Sequence, residues 1–117
     1  MLNKGKLEDI ISSWIISYQK ERLGRGAESA KTYIIDDMII IRSKSVLTPA
    51  EKQLALKEKG KCLIKELRYQ LEELIRPELE LLVEELFGRK IISLHNDIST
   101  KTGERIDIII MDKKIVF

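Results

Sequence analysis

A chain of 117 residues with 34% charged residues and a net charge of +2 has the length of one domain with its own core, spanning residues 1–117. So small a net charge leaves no field to gather nucleic acid, and aromatic residues for base stacking are few. The single cysteine, Cys62, excludes an intramolecular disulfide and any zinc site built on several thiolates.

Met1 to Lys6 lead into an amphipathic pattern with no apolar signal core. Leu7, Ile10, Ile11, Trp14, Ile15 and Tyr18 recur at helical spacing, which predicts a first helix over 3–23. Gly24 and Gly26, on either side of Arg25, end it. Residues 30–36 and 38–43 are rich in β-formers and predict two strands joined by a tight turn at Asp36-Asp37. Thr48-Pro49-Ala50-Glu51 is a helix start: Thr48 caps free N–H groups, Pro49 suits the first helical position and Glu51 completes a capping box.

Helical periodicity then persists to Phe87, through Leu54, Leu63, Leu67, Leu71, Leu74, Ile75, Leu82 and Leu86. Unbroken, this stretch would span roughly 60 Å, about twice the width expected of a compact domain, so a break is expected at Lys59-Gly60-Lys61. Pro77 is expected to kink the helix by removing a backbone donor. Beyond it Leu79, Leu81, Leu82, Val83, Leu86 and Phe87 widen past one stripe and call for cover, from the chain's own sheet or from a second subunit. Cys62, beside Leu63 in the periodic stretch, reads as a packing residue. Gly88 closes the helix. Residues 90–96 and 104–111 then predict a second hairpin, with 114–117 extending the last strand.

These elements predict an α+β fold: two antiparallel β-hairpins in one four-stranded sheet, packed against an N-terminal helix and a long, broken or kinked central helical segment. The strand order is not legible. The longest apolar runs, Met38–Ile41 and Ile108–Met111, are four residues each, against about 20 for a membrane span. The expectation is a soluble, cytoplasmic chain. Scarce Asn and Gln with abundant Ile point to a thermophilic source.

Hydrogen-bonding side chains are densest between Leu94 and Arg105. His95 and Asp97, two apart on a strand, would share a side. Such a pair can act as a general base, hold a metal with help, or respond to pH. The plainer reading has Asp97 starting the turn and His95 packing at the sheet end. Asp36 and Asp37 could add oxygen ligands if the two hairpin ends meet. Ser99, Thr100, Thr102 and Gly103 resemble a small anion cradle, to which Arg25 could bring a planar positive fork. Turn and cap chemistry accounts for the same compositions. No phosphate-loop spacing, no complete catalytic or metal motif and no cofactor signature is present.

Four strings carry a resemblance. Gly24-Arg25-Gly26, Thr32-Tyr33-Ile34-Ile35-Asp36-Asp37-Met38, Leu47-Thr48-Pro49-Ala50-Glu51-Lys52-Gln53-Leu54-Ala55 and Ser93-Leu94-His95-Asn96-Asp97-Ile98-Ser99-Thr100-Lys101-Thr102-Gly103-Glu104-Arg105 occur in this order. Together the chain resembles the small bacterial MpsC proteins, long classed as a domain of unknown function. Ala27 departs from a proline in that pattern and Asn96 from a threonine. The resemblance implies a subunit of a sodium-translocating, membrane-potential-generating system linked with inorganic-carbon uptake. Without a span, such a chain would be accessory: the expectation is a cytoplasmic, non-catalytic homodimer that meets membrane transporter subunits at the inner face. The competing expectation is an anion- or metal-binding, or enzymatic, domain using Arg25, His95, Asp97, Thr100 and Thr102.

Overall fold

Asn3 opens the first helix, its Oδ1 accepting the Lys6 N–H at 2.9 Å and satisfying one of the free donors of the first turn. The computed structural model describes residues 3–117. Helix α1 (Lys4–Leu23) ends where Gly24 takes φ 80°, a left-handed conformation that glycine adopts without penalty. Strands β1 (Ser29–Ile35) and β2 (Met38–Lys44) follow, joined through Asp36 at φ 54°. Helix α2 (Pro49–Leu54) starts on the expected capping box: Thr48 Oγ1 accepts the Glu51 N–H, and Glu51 Oε1 accepts the Thr48 N–H at 2.9 Å.

Helix α3 (Glu58–Phe87) runs 30 residues, passes through Pro77 and ends at Gly88. Strands β3 (Ile91–Ile98) and β4 (Arg105–Met111) complete the chain's regular structure. The four strands form one antiparallel sheet in the order β1-β2-β4-β3. The last hairpin is therefore laid down with β4 beside β2, leaving β1 and β3 at the edges.

Both long helices pack on one face. Leu7, Ile11 and Ile15 of α1 and Leu79 and Val83 of α3 share a core with Ile34, Ile39, Ile41, Ile109 and Met111 of the sheet. A second cluster beneath the other end joins Ala27, Val46, Leu47, Ile64 and Ile98. The α+β architecture is as expected, with an N-terminal helix, a four-stranded antiparallel sheet and a long helix.

Several expectations are corrected. The helical break lies between Leu54 and Glu58, not at Lys59-Gly60-Lys61. Gly60 is instead buried in the first turn of α3, where a Cβ would fall 1.7 Å from the Leu54 carbonyl oxygen. The glycine permits the close approach of α3 to the end of α2. A 30-residue helix is about 45 Å long, and the molecule measures 46 × 24 × 21 Å. The chain accommodates α3 by being elongated.

Cys62 is exposed, not a packing residue. Residues 114–117 are not strand; the Ile115 N–H donates to the Asp36 carbonyl at 2.8 Å, and this folds the Ile115 side chain into the core. The apolar widening after Pro77 is divided: Leu79 and Val83 are buried by the sheet and Leu81 faces solvent.

Candidate functional site

The β3–β4 turn spends its hydroxyls on its own backbone. Ser99 Oγ accepts the Thr102 N–H at 3.2 Å, and Thr102 Oγ1 accepts the Glu104 N–H at 3.2 Å. The Gly103 N–H donates to the Ser99 carbonyl at 2.8 Å, with Gly103 at φ 74°. The Gly103 carbonyl accepts the Val46 N–H at 2.9 Å, which ties the turn to the loop after β2.

Beside this turn lies an open groove of about 460 Å³. Thr100, Lys101, Thr102 and Gly103 form one wall, and Lys52, Ala55, Leu56 and Lys61 of the α2–α3 elbow face them. Lysines, a hydroxyl and apolar side chains lining one groove can hold an anion with an apolar body. Lys61 is also paired with Glu58 at 3.0 Å. No spacing in the sequence assigns Lys52, Lys61 and Lys101 to one site, because only the fold brings the elbow to the turn.

The other expected site residues lie elsewhere. Arg25 Nε donates to the Ser45 carbonyl at 3.1 Å, holding the loop in which Ser45 takes φ 58°. Ser45 lines the groove, but Arg25, His95 and Asp97 are not among its walls. His95 is exposed on edge strand β3 and its Nε2 is 3.1 Å from Ser93 Oγ. Asp97 Oδ1 accepts the Ile98 N–H at 2.8 Å and Lys65 Nζ at 3.1 Å. Those two hydrogen bonds, the backbone one first, hold its carboxyl below the usual range. Asp36 and Asp37 turn at the opposite end of the sheet from Asp97, at the end marked by the Ile35–Met38–Ile110–Ser93 row. Gly24 and Gly88 close α1 and α3, Thr48, Pro49 and Glu51 start α2, and Pro77 lies within α3; a Cβ on Gly26 would fall 2.9 Å from the Ile16 carbonyl oxygen.

The sheet's other face carries what sequence reasoning missed. The register aligns Tyr33, Ile40, Ile108 and His95 in one row, Ile35, Met38, Ile110 and Ser93 in the next, and Lys31, Arg42, Ile106 and Asp97 in a third. None of these side chains belongs to either core cluster. Tyr33 and Ile35 are 37% and 46% exposed. The signal was the near-continuous Ile in both inner strands, which exceeds what one buried face requires.

The inward face is polar at the opposite end from the main core. Arg105 and Asp107 form a two-bond pair at 3.0 and 2.7 Å, and Arg105 also pairs with Glu72 of α3. Nearby, Arg68 donates to Glu51 Oε2 at 2.7 Å and to the Val46 carbonyl at 2.9 Å. Burial pushes the Glu51 carboxyl up, but Arg68 and the Thr48 cap outweigh it and hold it below the usual range. Among the described residues, no group of three or more His, Cys, Asp or Glu is arranged to hold a metal. Also among them, no helix is long and apolar enough to cross a membrane.

The chain is 40% identical over 104 residues to the uncharacterized protein YbcI of Bacillus subtilis, covering 89% of this chain and 84% of that one. It is 26% identical over 98 residues to the uncharacterized protein YrhF of the same organism, covering 83% and 80%. No solved structure matches it. The family described as "Na+-translocating membrane potential-generating system (MpsC)" matches residues 3–113, and the chain belongs to that family.

Proposed function

We propose that the protein is a non-catalytic accessory or regulatory component of a membrane cation-translocating and inorganic-carbon uptake system. In this reading it is a cytoplasmic homodimer, held at the inner face of the membrane by contacts to transporter subunits. Family membership supports the association. With no membrane-crossing helix among the described residues, helical conduction falls to other subunits.

The observation that carries the reading is the uncovered outer sheet face. Tyr33, Ile35, Met38, Ile40, Ile106, Ile108 and Ile110 make a continuous apolar patch over three strands. At strand and residue spacings of about 4.8 and 3.3 Å, its plan area is roughly 300 Å², a size at which exposed patches are often functional. Lys31, Arg42 and Lys44 stand at one end, with Arg42 tied to Glu104 at 2.6 Å. The matching partner segment is apolar at its centre and acidic at one end. The test is affinity purification of the tagged chain from mildly solubilised host membranes. Wild type should recover transporter subunits and Ile40→Lys should not. No recovery by wild type would refute the reading, and equal recovery by both would refute the sheet face as the docking surface.

A separate role in binding an anion is supported by the groove at Lys52, Lys61, Lys101 and Thr100. Calorimetric titration with inorganic phosphate and bicarbonate, using Lys52→Ala and Lys101→Ala as controls, tests it. Heat that persists unchanged in both variants would rule the groove out.

A further inference from the structure

Helix α3 carries two separate apolar stripes. Ile64, Leu79 and Val83 are buried against the rest of the chain. In the other stripe Leu63, Leu67, Leu74 and Leu81 are 52%, 47%, 77% and 59% exposed. Their intervals keep to a seven-residue repeat, with Gln70 and Pro77 in the remaining places. At 3.6 residues per turn the four leucines fall within about 40° of one another. The spacing is that of a two-helix coiled-coil seam, with leucine in four of its six places, along about 27 Å of helix.

Charge along α3 identifies the occupant. Lys57, Lys59, Lys61 and Lys65 outnumber Glu58 and Glu66 at its start, with Lys61 paired to Glu58 and Lys65 to Asp97. Glu73, Glu78, Glu80 and Glu85 occupy its second half, where Arg76 is the sole cation between Glu72 and Phe87. Two parallel copies would set lysines against lysines and glutamates against glutamates. Two antiparallel copies set each basic end beside an acidic one, and their helix dipoles also oppose.

Resting on the homodimer reading above, we infer that two copies of this chain pair antiparallel through the α3 leucine seam, with the two-fold near Glu72. Leu63 of one copy then meets Leu81 of the other, and Leu74 meets Gln70. The seam is short for a free coiled coil. Here α3 is already ordered by its own core, so pairing does not have to pay the cost of forming the helix. The outer sheet faces remain open on both copies, available for partner segments.

Sedimentation velocity on the purified full-length chain, across a wide concentration range, tests the pairing without any membrane component. Wild type should dimerise. Leu74→Glu should weaken the dimer by at least about tenfold, while its thermal unfolding stays cooperative because Leu74 is solvent-facing. Lys59→Glu, on a solvated side chain, should weaken it less, and Ile40→Lys on the sheet face should not. Cys62 is the only cysteine and is exposed, so one nitroxide there reports the orientation by pulsed electron resonance. An antiparallel pair separates the two labels by about 30 Å; a parallel pair brings them within about 15 Å. A monomer at every concentration, a dimer indifferent to Leu74→Glu, dissociation by Ile40→Lys, or the short distance would each overturn the inference. Recovery of transporter subunits is measured separately, so a failed dimer and a failed accessory role are told apart.

Discussion

The two faces of the sheet invert the usual arrangement, and the inversion is sharpest within β4. Arg105 and Asp107 point into the protein, whereas Ile106, Ile108 and Ile110 point away from both cores. Inward charges are retained because each has a partner: Asp107 and Glu72 for Arg105, Glu51 for Arg68. Outward isoleucines have no partner within the chain. The inner face therefore carries the fold's stability and specificity, and the outer face carries surface that folding alone does not require.

Neighbouring substitutions on one strand separate these roles. Asp107→Ala should cost about 3–5 kcal/mol, because it leaves the Arg105 charge buried with one partner fewer. Ile108→Ala, the next residue along, should cost about 1 kcal/mol or less, the scale of a half-exposed strand position. Urea unfolding of both variants measures the contrast, and equal losses would abolish the distinction between the faces.

Acid titration probes the inward charges by a second route and should have a smaller effect than Asp107→Ala. The folded Glu51 carboxyl ionises below its ordinary value of 4.5. Its stabilising contribution is therefore complete above that value and disappears as pH falls through the lower folded one. Glu51→Gln should lower stability at neutral pH and flatten the acid limb of a plot of stability against pH. An unchanged limb would show that other carboxylates govern acid unfolding. Asp97 shifts in the same direction, but its pair with Lys65 is solvent-exposed and adds little.

The smallest expected stability effect is Ile40→Lys, within about 0.5–1 kcal/mol of wild type, and it should abolish recovery of transporter subunits. Loss of the fold in this variant would place Ile40 among the residues that hold the inner layers together. Retained recovery with an intact fold would move partner docking away from the sheet.

The candidate site was legible in uneven measure. The Leu94–Arg105 segment was conspicuous because hydroxyls, Gly103 and charges crowd into a short string. Ser99 and Thr102 turned out to hold the turn itself, which local spacing allowed but did not require. Lys52 and Lys61 could not be assigned to the same groove, since they come from an elbow some 40 residues earlier. Gly60 is an irregularity whose role local sequence leaves open: glycine both breaks helices and admits close packing, and only the Leu54 carbonyl beside it decides between them.

Patterns that depend on neighbours in the chain were determined by sequence alone. Helix caps at Thr48 and Gly88, the turn at Asp36, two hairpins and the α+β class all follow from local sterics and from the periods of helix and strand. Tertiary structure decided which side of each apolar pattern faces inward. Leu63, Leu67 and Leu74 have the same helical periodicity as core residues, yet they point to solvent. The strand order β1-β2-β4-β3 likewise arises from long-range pairing, whose partners are fixed by burial across the whole chain and leave no signature in any single segment.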